Sequence, residues 1–122
     1  MKVRIKGNAV RLRLSKTDVA KITTVGYLEE RTLFGPNTFI YALQRTDTGD
    51  ELTADFDGGK MTMYVPAAMI IDWELNDIIT FESFMEVSDS QKLHLLLEKD
   101  FQCLDNTIED QSDNYTNPSK TC

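Results

Sequence analysis

Alternating apolar and basic residues open the chain and predict its first two strands. Val3 and Ile5 alternate with basic residues, and apolar residues alternate with arginines again over residues 10–14. A period of two is typical of half-buried strands. The apolar residues are odd-numbered before Gly7-Asn8 and even-numbered after it, so one straight strand would reverse its apolar face. A two-residue hairpin loop at Gly7-Asn8 removes this reversal, and a β-bulge in one bent strand is the alternative.

The predicted hairpin collects basic side chains on one face. Arg4 then lies opposite Arg11, and Lys2 lies opposite Arg13. Like charges directly opposite each other are destabilising. This face therefore needs carboxylates from a neighbouring strand, an acidic segment, a bound anion or full solvation, and we expect intramolecular pairing or solvation. The candidate residues for binding an anion or the C-terminal tail are Lys2, Arg4, Lys6, Arg11 and Arg13.

A helix and two further strands follow. Ser15 and Asp18 have the spacing of a capping box, which predicts a helix over residues 16–25. Residues 27–34 and 38–45 predict two strands joined by a turn-rich link. Both strands carry aromatic residues at odd and even positions, so we expect them to be the more central strands of the sheet.

A second hairpin has the clearest local pattern in the chain. Residues 51–57 alternate between polar and apolar side chains, Gly58-Gly59 is a strong two-residue loop signal, and residues 60–65 continue as the partner strand. Pro66 suits the first turn of a short helix. Trp73 lies on the apolar face of that helix, where we expect it to fill the core, with stacking on a ligand as the alternative.

Two more strands, over residues 77–86 and 92–100, complete the regular pattern, which stops at Phe101. Residues 101–122 are rich in Asp, Asn, Ser and Thr and predict an extended acidic tail. The sequence thus predicts an α+β domain over residues 1–100, with the tail of 101–122 packed on or near it. We expect one curved, mainly antiparallel sheet of about six to eight strands with one or two short helices.

The distribution of charge narrows the classes of partner. The chain has 13 basic and 20 acidic residues and a net charge of −7. Seven basic residues and one acidic residue lie within positions 1–21, a local charge of +6, so the remainder carries −13. This balance argues against a general nucleic-acid binder, which needs a basic surface. Without a membrane span or a signal peptide in the sequence, we expect a cytoplasmic protein with no membrane partner.

No catalytic motif stands out. The sequence has no Walker loop, dinucleotide fingerprint or nucleophile elbow. The single histidine, His94, lies on the polar side of the last strand. The spacing of acidic residues that forms an EF-hand calcium site is absent. A solvated acidic tail is the interpretation we favour over a metal site, for which the candidate ligands are His94, Asp100, Cys103, Glu109, Asp110 and Asp113. Cys103 and Cys122 are expected to be free thiols, with a disulfide as the alternative.

Both ends of the chain carry distinctive charged motifs. Residues 1–14 read MKVRIKGNAVRLRL, and residues 98–104 read EKDFQCL, followed by an acidic ED-x-x-D stretch at 109–113. These motifs resemble a family of small bacterial proteins of unknown function. The resemblance covers the whole chain and implies a bacterial, cytosolic protein of one domain. It implies no activity, cofactor or catalytic residue.

Three functions fit these observations. The favoured one is a non-enzymatic binding or interaction module, because no catalytic constellation was found. The second is a binder or metal-dependent hydrolase of an anionic, phosphate-containing small molecule on the basic face. Triphosphate-processing barrels combine such features, but their Glu-x-Glu-x-Lys strand motif is absent here. The third is a homo-oligomer held together by the acidic tail. The sequence names no cofactor and no specific partner.

Overall fold

The computed structural model describes residues 1–101, which form eight strands and two helices. The predicted tail from residue 102 onward lies outside the described residues. The helices are α1 (Lys16–Thr24) and α2 (Ala67–Ile70). The strands are β1 (Lys2–Lys6), β2 (Ala9–Leu14), β3 (Tyr27–Phe34), β4 (Asn37–Thr46), β5 (Thr53–Asp57), β6 (Lys60–Pro66), β7 (Thr80–Ser88) and β8 (Gln91–Lys99). Neither helix in this part of the chain is long and apolar enough to cross a membrane.

The strands form two four-stranded sheets, in the orders β1-β2-β8-β7 and β3-β4-β6-β5. Each sheet contains two antiparallel hairpins whose second strands pair in parallel at its centre, β2 with β8 and β4 with β6. The α+β class and the numbers of strands and helices agree with the prediction. The strand pairing is mainly antiparallel, as predicted, because four of the six pairings between the described strands are antiparallel. The single sheet was wrong, because four amphipathic strands are enough to make one layer of a shared core.

The opening hairpin has the predicted loop. Ile5 pairs with Val10 and Arg4 pairs with Arg11. Gly7 adopts a φ of 55°, a conformation that glycine adopts without a steric penalty. The Asn8 side chain donates a hydrogen bond of 2.7 Å to the carbonyl of Lys92. The loop therefore both turns the chain and attaches it to the first residues of β8.

The helix α1 begins with the predicted capping box. The amide of Asp18 donates to Ser15 Oγ over 3.2 Å, and the amide of Ser15 donates to Asp18 Oδ2 over 3.0 Å. The helix ends before Gly26, which has a φ of 88°. Its buried residues Val19 and Ile22 belong to the core. This helix therefore packs one apolar stripe inward, as its short periodic pattern predicted.

The placement of β3 differs from the prediction. β3 is an edge strand, and its final residues Leu33 and Phe34 are 77% and 66% exposed. β4 is central as expected, because it pairs with both β3 and β6. Aromatic residues on both parities indicated burial on two faces, but the end of the β3–β4 hairpin projects beyond β6. Leu33 pairs with Thr38 of β4, whereas β4 pairs with β6 only from Ile40 onward.

The second hairpin confirms its predicted register. Phe56 pairs with Met61, and Asp57 pairs with Lys60. Gly58 and Gly59 both have positive φ, at 58° and 78°. The loop is as tight as the sequence predicted, and β5 becomes an edge strand beside the central β6.

Trp73 fills the core behind the second helix. It is fully buried, and its indole N–H donates a hydrogen bond of 2.7 Å to the Ile78 carbonyl. Its ring lies 5.0 Å from the ring of Phe81. The amide of Ile78 in turn donates to the Asn76 side chain. Residues 77–79 therefore precede the strand, and β7 begins at Thr80 rather than at the predicted residue 77. Trp73 is thus a core residue, as expected.

Both sheets contribute side chains to one hydrophobic core. Buried residues of the first sheet include Leu12 and Leu97, and those of the second include Leu43 and Met63. β8 is buried on both of its faces, with Leu95, Leu96, Leu97 and Glu98 each at most 8% exposed. The outward face of β8 is therefore not an ordinary solvated surface, and it adjoins the basic residues of β2.

Candidate functional site

The basic residues of the opening hairpin share the outer face of the first sheet. Arg4 lies opposite Arg11, and Lys2 lies opposite Arg13. Val10, Leu12 and Leu14 point to the other side of β2 and are buried. We call the outer side of β1 and β2 the basic face, and its five cations are Lys2, Arg4, Lys6, Arg11 and Arg13.

A carboxylate of β8 lies against this face. The parallel register of β2 and β8 pairs Arg13 with Glu98. Glu98 is 5% exposed, and its Oε1 accepts a hydrogen bond of 2.7 Å from Arg13 Nε. Arg11 Nε lies 3.5 Å from the same oxygen, and Thr80 Oγ1 donates to Oε2 over 3.2 Å. Glu98 is thus a buried anion shared by two arginines, the arrangement that a buried charge requires.

A second carboxylate reaches the edge of the face. Lys2 Nζ lies 2.8 Å from Asp100 Oδ2. The Lys2 side chain is 74% exposed, so this pair contributes little to stability. Lys6 is exposed beside the Gly7-Asn8 loop. Glu98 and Asp100 are thus carboxylates of the same sheet region that pair with cations of the basic face.

Sequence reasoning identified the cations and gave carboxylates of a neighbouring strand, among them residues 51–57 and 98–100, as one way to compensate them. The structure shows that the strand of residues 98–100 supplies Glu98. Its burial depends on the pairing of β8 with β2, which are more than 80 residues apart in the chain. The available signal was the run Leu95–Leu97 before Glu98, because consecutive apolar residues indicate a strand buried on both faces.

The predicted metal ligands are not brought together within the described part of the chain. His94 Nε2 lies 2.8 Å from Glu82 Oε2, and the His94 ring stacks on Phe84 at 4.2 Å. Asp100 follows six residues later along the strand direction, roughly 20 Å away, and pairs with Lys2. Within residues 1–101, no group of three or more metal-binding side chains is found. Cys103, Glu109, Asp110 and Asp113 lie outside the described residues, so the metal hypothesis stays a prediction.

A polar network that the sequence reading missed lies on the outer face of the second sheet. Tyr27 Oη donates to Glu29 Oε1 over 2.7 Å, Arg31 Nε donates to Glu29 Oε2 over 2.8 Å, and Lys60 Nζ donates to Tyr27 Oη over 2.6 Å. The hydrogen bond from Tyr27, supported by Arg31, lowers the pKa of Glu29. The same tyrosine raises the pKa of Lys60. The alternation of Tyr27, Glu29 and Arg31 was the available signal.

The space between the sheets is apolar. Leu12 and Leu95 of the first sheet and Leu43 and Met63 of the second are fully buried there. The basic face points away from this interior. The fold-level analogy with triphosphate-processing barrels therefore does not extend to the position of the cations.

Fold and site together define a two-sheet α+β protein with a cationic outer face. The chain belongs to a family whose model matches residues 1–119 and is described as a family of unknown function, DUF7009. This agrees with the resemblance drawn from the two end motifs to a family of unknown function. No curated protein and no solved structure matches the chain.

Proposed function

We propose that this protein is a non-enzymatic interaction module whose basic face binds an acidic polypeptide segment. The observation that carries the proposal is the concentration of five cations on one side of a single hairpin, in a chain whose net charge is −7. Asp100 pairs with Lys2 and Glu98 pairs with Arg13, so carboxylates are groups that this face already binds. A local positive excess on an acidic protein attracts and orients a complementary acidic partner.

The spacing of the cations favours an extended ligand. Lys2, Arg4 and Lys6 occupy alternate positions of β1, which places them roughly 7 Å apart along the strand. In an extended segment, acidic side chains four residues apart repeat at twice this distance, which is the separation of Lys2 from Lys6. The acidic residues with this spacing are Asp105, Glu109 and Asp113. A single small anion would contact a few of these groups, whereas an extended acidic segment can reach both ends of the row.

Glu98 supports the choice of carboxylates as the recognised group. Arg11 and Arg13 already hold this carboxylate, together with the hydroxyl of Thr80. Guanidinium groups bind carboxylates through directed, charge-assisted hydrogen bonds. The folded protein therefore already uses, on the basic face, the chemistry that would bind an acidic segment.

The acidic segment at residues 105–113 is our candidate for the occupant. It carries Asp105, Glu109, Asp110 and Asp113, and it lies outside the described residues. If this segment binds the basic face of its own chain, the tail covers part of the domain of residues 1–100. If it binds the basic face of a second copy, the two chains form a homo-oligomer. We place this module in the bacterial cytoplasm, as the end motifs imply.

Binding of a peptide tests the proposal. The peptide has the sequence of residues 105–113, and the host is the full chain in which those four carboxylates are replaced by amides, so that its own tail does not compete. We expect saturable fluorescence anisotropy that weakens with added salt. Arg4→Glu should raise the dissociation constant about tenfold, because each exposed pair contributes roughly 1 kcal/mol and reversal makes it repulsive.

Lys16→Glu is the matched control, because it changes the net charge equally but lies at the exposed start of α1. It should leave the dissociation constant within about twofold of the host's. An equal rise of the dissociation constant in both variants would show that only the net charge of the protein matters, and it would contradict the proposal. A melting temperature raised by tripolyphosphate, without peptide binding, would favour the small-anion alternative instead.

A further inference from the structure

An apolar cleft opens between the two sheets, away from the basic face. It has a volume of about 340 Å³. Its walls come from both sheets and include Ile5, Phe39, Phe56, Met61, Met85 and Leu93. The rings of Phe39 and Phe56 stack at 6.3 Å along one wall. Leu93 is near the start of β8, whereas the Trp73 ring lies beside Lys99 at the end of that strand, so the cleft and the tryptophan occupy opposite ends of the core.

The lining defines the chemistry of a ligand. Asp55 is the charged residue of the lining, and its carboxylate accepts a hydrogen bond of 2.9 Å from Tyr64 Oη. The other lining residues are apolar, so the described residues 1–101 offer a ligand in the cleft no cation to neutralise an anionic group. Burying an unpaired charge or polar group here would be costly. Methionines such as Met61 and Met85 adapt readily to the shape of an apolar guest.

The size of the cleft indicates a small molecule. Ligand pockets measure roughly 300–1,000 Å³. A dry cavity of about 150 Å³ accommodates benzene, so this cleft has room for roughly ten to fourteen carbon atoms. A stable protein interface buries about 800 Å² on each partner. The exposed apolar residues at the rim, Ile5, Phe56 and Val87, are too few to supply such an area.

We propose that this cleft binds the hydrocarbon part of an uncharged small molecule. Ile5, Phe56 and Val87 are 56%, 65% and 50% exposed. Covering them and displacing water from the concave apolar surface provides the driving force. The site lies on the inner faces of the strands, so it is independent of the basic face on the outer side of the first sheet.

A neutral fluorescent probe, N-phenyl-1-naphthylamine, tests this proposal with the full chain. Its naphthyl group has about ten carbon atoms and fits the cleft, while the phenyl group extends through the open side. We expect saturable fluorescence enhancement that decan-1-ol reverses. Phe56→Asp should raise the dissociation constant of the probe at least about tenfold, because it places a charge in the apolar wall. Val87→Asp, on the opposite wall, should do the same and serves as the second variant.

Phe34→Asp is the matched control. Phe34 is 66% exposed, as Phe56 is 65% exposed, and both lie on edge strands, but Phe34 is outside the cleft. Unchanged probe binding in this variant supports the proposal, provided that circular dichroism shows all variants folded. Non-saturable binding to the parent, or an equal loss in Phe34→Asp, would overturn it. So would a dimer in sedimentation that Phe56→Asp dissociates, because the cleft would then be an interface between copies.

Discussion

Two ion pairs of nearly equal length differ in how much water reaches them. Arg13 Nε lies 2.7 Å from Glu98, whose side chain is 6% exposed. Arg31 Nε lies 2.8 Å from Glu29, in a pair whose side chains are 62% and 26% exposed. Water solvates an exposed carboxylate after its partner is removed, whereas a buried carboxylate keeps its desolvation cost. Burial therefore decides which pair matters for stability.

Arg13→Ala should lower the free energy of unfolding by about 2–3 kcal/mol, less than the loss for a fully buried pair because Arg11 and Thr80 still contact Glu98. Arg31→Ala should cost less than about 1 kcal/mol. Urea denaturation of both variants and the parent measures the difference. Equal losses would show that Glu98 is as well solvated as Glu29.

The capping box of α1 gives the protein a pH-dependent contribution to stability. Burial raises the pKa of Asp18, but hydrogen bonds from the amino group of Met1 and from Ser15 outweigh burial and lower the pKa overall. A carboxyl whose folded-state pKa is lowered stabilises the fold above its unfolded pKa of about 3.9. This contribution is lost as the pH falls through the folded-state pKa.

Asp18→Asn should therefore lower the free energy of unfolding by about 1 kcal/mol at pH 7, because the charge at the helix start is lost. The difference from the parent should shrink as the pH falls below the unfolded-state pKa of about 3.9 and disappear once the pH is below the lowered folded-state pKa. Urea denaturation between pH 2.5 and 7 measures it. A difference independent of pH would mean that the charge of Asp18 contributes nothing.

At the scale of elements, two loops with similar glycine conformations differ in the space around them. Gly59 has a φ of +78°, and a Cβ there would lie 3.2 Å from the carbonyl oxygen of Thr38. Gly35 has a φ of +80° and open space around it. A substitution at either site therefore carries the backbone penalty of positive φ, and Gly59 alone adds a close approach to another strand's backbone.

Gly59→Val should lower the melting temperature and cost about 1–3 kcal/mol, because a β-branched residue is strained at positive φ. Gly35→Val should cost less, since its side chain meets no neighbour. Thermal unfolding of both variants ranks them. A Gly35 variant that is the less stable of the two would show that the contact with Thr38 does not limit the turn.

The sequence was informative for elements wherever a turn residue stands between periodic segments. Gly7-Asn8 and Gly58-Gly59 predicted both hairpins and their registers, because a two-residue loop fixes which residues pair. The same patterns could not rank strands from edge to centre. β3 carries aromatic residues on both parities, yet its exposed end extends past β6, and no local pattern reports how far a neighbouring strand reaches.

At the scale of the whole molecule, long-range pairing decided what could not be predicted. The parallel pairings of β2 with β8 and of β4 with β6 join separate hairpins, so no turn residue signals them. Because β2 pairs with β8 and β4 pairs with β6, the four hairpins form two sheets instead of the single sheet that was expected. The parallel pairings also bring Glu98 to Arg13, and so they convert a cation cluster recognised from sequence into the basic face with a buried anion beside it.

The central claim, that the basic face binds an acidic segment, is tested most directly by mapping the binding surface. The amide resonances of the host with the neutralised tail can be followed in ¹H–¹⁵N spectra during titration with the peptide of residues 105–113. We predict saturable shifts concentrated in β1, β2 and the last residues of β8, which weaken with salt. Shifts that are largest in the second sheet, or no saturable shifts at all, would contradict the account.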